Sequence, residues 1–199
     1  MNLVERVKAI LTTPKTEWNV INEETDDASK ITMTYLIPLI LIGAVASFIG
    51  FGLIGMNFGW GLKFKSTELG IKLAISYAVR GIAGVFILAF IIDALAPQFG
   101  SEKNFNKSFQ LAAYSATASL VAGVLLILPS LAILIIIAAI YGLYIAYLGI
   151  PVLKKTPQDK HVTYFVIILL VSFAVNLILS YIERQIFYPK LGTLGGLDI

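Results

Sequence analysis

The sequence has no cysteine and few charged residues. Lys, Arg, Asp and Glu make up only 14% of its 199 residues, whereas about a quarter of a soluble domain is charged. Without cysteine, the chain can form neither disulfides nor thiolate metal sites. Hydrophobic residues make up 58% of the chain, and the mean hydropathy is +0.86. This composition is typical of an integral membrane protein with long apolar helices.

Side chains that carry out catalysis are equally scarce. His161 is the single histidine, and general acid–base catalysis needs a positioned partner beside such a residue. The chain also has no Gly-x-Ser-x-Gly elbow, no glycine-rich phosphate loop and no metal-ligand spacing. We therefore expect no enzyme activity, catalytic residues, cofactor or bound metal, and nothing indicates a nucleic-acid partner.

Uncharged runs divide the chain into membrane-spanning segments. A helix needs about 20 residues to cross the apolar core of a bilayer. The run from Ser108 to Leu153 contains no charge, yet as one helix it would measure about 69 Å at 1.5 Å per residue. Pro129 lies near its middle, where a helix tends to stop, so we predict two helices there. The fold class is an all-α integral membrane protein, a five-helix transmembrane bundle, with spans near 33–54, 70–94, 107–128, 131–153 and 162–187. A four-span topology, in which the long run dips into the membrane and out again, is the alternative.

The segment before the first span has a different pattern. Apolar residues recur at helical spacing from Leu3 to Leu11, which predicts a short amphipathic helix. Thr13-Pro14 then predicts a second helix, with threonine as N-cap and proline at the first helical position. These helices either lie in the headgroup layer, with Trp18 as an interfacial anchor, or pack on the cytoplasmic ends of the spans.

These patterns predict three parts of the chain. Residues 1–30 form a cytoplasmic or interfacial amphipathic segment with an acidic linker. Residues 31–188 form the five-span membrane domain. Residues 189–199 form a short C-terminal tail.

The distribution of basic residues predicts the orientation. Five spans place the termini on opposite sides, and cytoplasmic loops are enriched in Lys and Arg. The face that includes the N-terminus has the larger number of basic residues, so we expect a cell inner-membrane protein with a cytoplasmic N-terminus and an external C-terminus. On that face lie Arg6, Lys8, Lys15, Lys30, Lys103, Lys107, Lys154, Lys155 and Lys160; on the other lie Lys63, Lys65, Lys72, Arg184 and Lys190.

Arg80 is the candidate intramembrane polar site. It lies deep in the second span, where a charged side chain is expensive and marks a functional site or a buried contact. We expect it to face the bundle interior and to hydrogen-bond with Asn176, Glu183, Tyr77 or a carbonyl of a broken helix. It is then either a clamp between the second and fifth spans or a site for a substrate or lipid headgroup.

Asp93 is the candidate interfacial site. It ends the second span, where the negative end of the helix dipole disfavours a carboxylate. We therefore expect a donor close to it, either Lys103, Lys107 or backbone N–H groups around Gly100. Such a contact would hold the following connector against the bundle, whereas the alternative is a solvated acid.

Several segments resemble the Yip family, small polytopic membrane proteins named for Ypt/Rab interaction. The resemblance implies five spans with a cytoplasmic N-terminus, as in the compact bacterial branch, and a membrane-organising or adaptor role. In eukaryotes that role concerns Rab GTPases and vesicle traffic, which does not carry over to a bacterium. The segments are Ile10–Trp18 (ILTTPKTEW), Ile92–Gly100 (IDALAPQFG), Lys103–Phe105 (KNF), Ala112–Ser115 (AAYS), Val121–Val124 (VAGV), Tyr147–Lys154 (YLGIPVLK) and Thr156–Lys160 (TPQDK).

Two functions agree with these patterns. The first is a non-catalytic scaffold or adaptor that organises the membrane. The second is a small transporter or channel with Arg80 in its polar path, although few ionisable groups lie in the spans and no internal repeat is visible. The expected partners are the lipid bilayer and, left open, a protein at the cytoplasmic face and a second copy of the chain.

Overall fold

A computed structural model shows an all-α bundle and describes residues 2–57 and 63–187, without the side chains of residues 56, 57, 63, 64, 183, 184, 186 and 187. The predicted C-terminal tail, 189–199, lies outside the described residues. Two short helices come first, α1 (Leu3–Thr12) and α2 (Pro14–Glu23). Asn2 and Glu5 form a capping box at the start of α1. Thr13 precedes α2 as predicted, but its hydroxyl donates to the Ala9 carbonyl instead of capping α2.

Five long apolar helices follow, which confirms the predicted number of spans. Separate helices occupy the two halves of the long uncharged run, and each is long and apolar enough to cross a membrane, which favours five spans over the four-span alternative. The first of these helices ends in a 3₁₀ turn, Gly123–Ile127, and a second short 3₁₀ turn, Pro129–Leu131, separates it from the next helix. The spans are α3 (Ala28–Ile54), α4 (Thr67–Phe99), α5 (Phe105–Ile127), α6 (Ile133–Lys154) and α7 (Gln158–Phe187, apolar to Ile182).

Some spans are locally irregular. Thr32–Leu36 and Phe48–Ile54 in α3 are π-helical turns, and α5 is interrupted at Ala116, between Ser115 and Thr117. A turn at Gly100, with φ of 65°, follows the 3₁₀ end of α4. Two-residue strands β1 (Met56–Asn57) and β2 (Lys63–Phe64) pair antiparallel after α3.

The α1–α2 hairpin packs against the spans. Ile10, Trp18 and Ile21 are at most 1% exposed and belong to the same hydrophobic core as α3 to α7. The Trp18 indole donates to the Ile145 carbonyl of α6 over 3.0 Å, and the Tyr141 hydroxyl of α6 donates to the Leu11 carbonyl over 2.8 Å. Of the two predicted placements, packing of these helices on the spans is confirmed, and Trp18 as an interfacial anchor is wrong, because its ring is enclosed by protein and its N–H is bonded to a span.

Glycines allow these helices to approach closely. A methyl group at Gly142 of α6 would lie 2.8 Å from the Ser115 carbonyl of α5, so two backbones meet there. A methyl group at Gly149 would lie 2.6 Å from both the Trp18 ring and Leu111. Small residues in α6 thus serve contacts within the chain, which is how small residues commonly act between helices in lipid.

The contact at Gly149 predicts a sharp difference between two glycines. Gly149→Ala should lower the free energy of unfolding by about 1–3 kcal/mol, because an added methyl overpacks the Trp18 contact. Gly84→Ala is the matched control, since a methyl group there meets nothing within 4 Å. Alanine should leave that value unchanged or raise it by less than about 1 kcal/mol. Unfolding in detergent, followed by helical circular dichroism, measures both. Equal loss in the two variants would contradict the packing of Trp18 on α6.

Candidate functional site: the polar contacts at the two ends of the bundle

A buried ionic cluster joins three spans at the end of the bundle that carries the α1–α2 hairpin. The Lys154 side chain is fully buried, and its ammonium nitrogen lies 3.3 Å from Asp93 Oδ1. It also donates to the Ser108 hydroxyl over 2.7 Å and to the Asn104 carbonyl over 3.2 Å. The Ser108 hydroxyl lies 3.2 Å from Asp93 Oδ1 and can donate to it. We call Asp93, Asn104, Ser108 and Lys154 the Asp93 cluster.

The cluster compensates for the position of Asp93. The carboxylate sits near the end of α4, where the partial charge of the helix is negative, and the Lys154 ammonium brings positive charge to the same place. The bond from the Lys154 ammonium to the Asn104 carbonyl also ties the start of α5 to the end of α6. As expected, donors lie close to Asp93, but they are Lys154 and Ser108, not Lys103, Lys107 or the backbone N–H groups around Gly100. Neither partner belongs to the connector, so the expectation that Asp93 holds the connector directly is wrong. The alternative of a solvated acid is also wrong, because Asp93 is buried.

Lys107 has a different role. Its ammonium group donates to the carbonyls of Ile21, Asn22 and Glu24, with distances between 2.6 and 3.3 Å. These carbonyls lie at and just beyond the C-terminus of α2, where a helix has unsatisfied acceptors and favours a cation. Lys107 therefore fastens the end of the α1–α2 hairpin to α5.

A second buried ion group holds the two helices of the hairpin together. Arg6 of α1 pairs with Glu17 of α2 and with Glu24 just after it. The guanidinium also lies over the ring of Tyr114 in α5, 5.4 Å from its centroid, in a cation–π contact. Arg6 therefore links α1, α2 and a span.

A proline inside α6 leads to a contact between α6 and α7. Pro151 lies inside α6 and has no N–H for the carbonyl four residues earlier, that of Tyr147. His161 of α7 fills this position, with Nε2 2.8 Å from the Tyr147 oxygen and its ring stacked on the Tyr147 ring. Since a carbonyl only accepts, Nε2 donates. The single histidine thus joins α6 to α7.

The connectors after α4 and α6 are bonded to one another. The backbone N–H of Glu102 donates to the Lys154 carbonyl over 2.8 Å, and the hydroxyls of Ser101 and Thr156 lie 2.8 Å apart.

On the surface, the Lys155 ammonium beside Glu102 holds the pKa of that carboxyl below its usual value. A lowered pKa means that this contribution is present at neutral pH and is lost as the pH falls through the lowered pKa. The pair is exposed, so the effect on stability is small.

Farther from the hairpin, Arg80 joins α4 to α7 from a position 13 residues into α4. Its guanidinium donates to the Ser180 hydroxyl, and that hydroxyl lies 3.5 Å from Asn176 Oδ1. Arg80 is exposed at the surface of the bundle, so the expectation that it faces the interior is wrong. The reason is geometric: Arg80 lies on the side of α4 that meets α7 at the perimeter of the bundle.

The other predicted residues at Arg80 are distributed differently. The half-buried Tyr77 places its hydroxyl between α3 and α5, where Gly43 and Gly123 leave room for it. Asn176 is exposed and lines a gap of about 190 Å³ between α4 and α7. The side chain of Glu183 lies outside the described residues.

Sequence reasoning missed the partners of these side chains. It did not select Lys154, Ser108, Arg6 or Ser180 as site residues. Pro151 was an available signal, since an internal proline leaves a carbonyl that needs a donor. Lys154 was another, because it follows a long uncharged run and ends a span on the same predicted face as Asp93.

The chain resembles known membrane proteins over most of its length. The profile of the Yip1 domain matches residues 8–180. The chain belongs to the Yip1 domain family. The inner membrane protein YohC of Escherichia coli K12 is 26% identical over 165 residues, which cover 81% of this chain and 85% of the relative. YohC of E. coli O6:H1 matches to the same extent. No solved structure matches.

The Yip1 match covers every contact described around Asp93. It includes the connector after α4, the end of α6 and most of the α1–α2 hairpin, and it ends at Ser180, the partner of Arg80. Arg6 lies just before the matched region.

The Asp93 cluster predicts strong coupling between two distant positions. Lys154→Met or Asp93→Asn alone should lower the free energy of unfolding by about 3–5 kcal/mol, because each leaves a buried partner without its counterpart. The double variant should lose clearly less than the two single losses added together, since no uncompensated charge remains. Unfolding in detergent provides all four values of the cycle.

The exposed pair provides the control for that cycle. Glu102→Gln removes an ion pair to Lys155 at the same end of the bundle, and its effect on stability should be small compared with either single variant of the cluster, because the pair is exposed. Additive losses for Asp93 and Lys154 would contradict their direct coupling.

Proposed function

We propose that this chain is a non-catalytic, multi-pass scaffold or adaptor of the inner membrane, with its N-terminus in the cytoplasm. The observation that supports this most is the number of bonds between separate segments at one end of the bundle. This end, which we call the N-terminal face, comprises the α1–α2 hairpin, the connector 155–157 and the connector 96–104, which includes the 3₁₀ end of α4.

The N-terminal face is organised as a fixed surface. Glu102 of one connector bonds to Lys154, just before the other connector, and Ser101 bonds to Thr156 within it. The Asp93 cluster lies beneath these bonds. A surface fixed before binding loses less conformational entropy when a partner docks. Exposed polar side chains on and beside the connectors give a partner contact points, among them Gln98, Lys103 and Gln158.

Transport is the second candidate, and one observation favours it. Arg80, Ser180 and Asn176 form a polar series beside the gap of about 190 Å³ between α4 and α7. Intramembrane polar series can line a path for ions or solutes. The bonds between the connectors at the N-terminal face favour the scaffold instead, because transport by alternating access needs halves that move relative to each other.

Site-directed crosslinking tests the scaffold role. The chain lacks cysteine, so one introduced cysteine carries the crosslinker alone. Lys103→Cys on the N-terminal face should capture the same defined protein repeatedly in native membranes. Lys65→Cys, exposed before α4 at the other end, is the matched control. The captured protein should then bind the purified chain in detergent.

Two further measurements separate the candidates. Lys154→Met should weaken capture at position 103 while the helical content is retained, because it disturbs the N-terminal face from beneath. Proteoliposomes of the purified chain should show no solute or ion flux above protein-free vesicles. Equal capture from positions 103 and 65, together with a flux that Arg80→Leu abolishes, would replace the scaffold by a transporter.

A further inference from the structure

A groove on the side of the bundle lies between α4, α5 and α6. It has a volume of about 340 Å³ and is lined mainly by apolar and small residues, including Gly81, Gly84 and Gly142. Ligand sites in proteins commonly have volumes of about 300–1,000 Å³. A methyl group at Gly84 would meet nothing within 4 Å. Gly84 therefore leaves room in the groove for the width of a hydrocarbon chain.

Ser115 lines the groove on α5 without offering it a polar atom. The residue is 6% exposed, and its hydroxyl oxygen is enclosed by protein and has no hydrogen-bond partner in the part of the chain that is described. This part of the groove therefore suits an apolar occupant.

Arg80 stands at the rim of the same groove. Its bond partner Ser180 is two residues before Ile182, where the apolar part of α7 ends. Ser180 is therefore about 3 Å from that end along α7, at 1.5 Å per residue. The Arg80 backbone lies 13 residues into α4, and a long arginine side chain can extend from such a depth towards the headgroups. From Arg80 the groove follows Gly81, Gly84 and Leu88 towards the other side of the membrane.

We propose that this groove binds an acidic phospholipid, with one acyl chain along Gly84 and Gly142 and the phosphate at Arg80. Charge complementarity selects the headgroup, because a guanidinium presents five donors and pairs with phosphate through two of them. The small residues that line the groove make it deep enough for an acyl chain. The groove opens at the perimeter of the bundle, where the bilayer lies. This site is independent of the scaffold role.

Native mass spectrometry of the purified chain tests the site. Phosphatidylglycerol and phosphatidylcholine with identical chains are compared, with glycerol phosphate as a headgroup without chains. The first molecule of phosphatidylglycerol to bind should do so about tenfold more tightly than the first molecule of phosphatidylcholine, as one charge-assisted contact allows. Glycerol phosphate should not bind, because it lacks the acyl chains. Equal affinity for the two lipids would overturn the proposal.

Variants of the protein separate the contribution of the acyl chain to lipid affinity from that of the headgroup. Gly84→Leu should weaken both lipids by about tenfold or more, since it displaces buried methylene groups. Ala174→Leu, an exposed position on α7 outside the groove, is the matched control and should bind as wild type. Arg80→Leu should remove only the preference for phosphatidylglycerol, and Arg80→Lys should keep part of it. Unchanged binding in Gly84→Leu would overturn the site.

The wild-type chain gives a test without any substitution. Phosphatidylglycerol with a photoactivatable group in its acyl chain should label residues 112–120 and 139–146 preferentially. Labelling spread evenly over all exposed apolar faces would reduce the groove to ordinary bilayer contact and overturn the site. A stable dimer of wild type that Gly84→Leu converts to monomer would assign the groove to a second copy and overturn the lipid.

Discussion

The buried pair of Lys154 and Asp93 is the interaction on which one end of this bundle depends. The pair connects the end of α4 with the end of α6, and Asn104 and Ser108 bring in the start of α5. A buried ion pair is weak evidence for stability, because desolvation offsets most of its attraction. We interpret its value here as specificity. Each charge is the other's only ionic partner among the described residues, so three helix ends are held in one arrangement.

Polar contacts continue outward from this pair. Lys107, three residues after Asn104 in the chain, holds the end of α2, and Arg6 joins α1 to α2 and to Tyr114. Trp18 fits against Gly149, two residues from the Tyr147 carbonyl that Pro151 leaves open and His161 satisfies. The hairpin, the connectors and the spans thus share one set of polar contacts around an apolar core.

The sequence predicts the spans well and their contacts poorly. Uncharged runs locate all five spans, and Pro129 marks the break between α5 and α6, because both signals are local. Whether an amphipathic helix rests on lipid or on protein is not local, so the sequence left open whether Trp18 is buried against the spans or anchors the helix in the headgroup layer. Lys154 lies 61 residues from Asp93, and only the arrangement of the spans brings them together. Arg80 and Ser180 are 100 residues apart, and again only the arrangement of the spans brings them together.

Hydrogen exchange of the Lys154→Met variant in detergent tests most directly whether the Asp93 cluster fixes the N-terminal face. Backbone amides of the connectors 96–104 and 155–157 should exchange faster than in wild type, because the bonds beneath them are lost. Amides in the middle of α4 and α6 should keep their protection, since their own helical bonds remain. Unchanged protection in both connectors, with Lys154 replaced, would contradict the central role of the cluster.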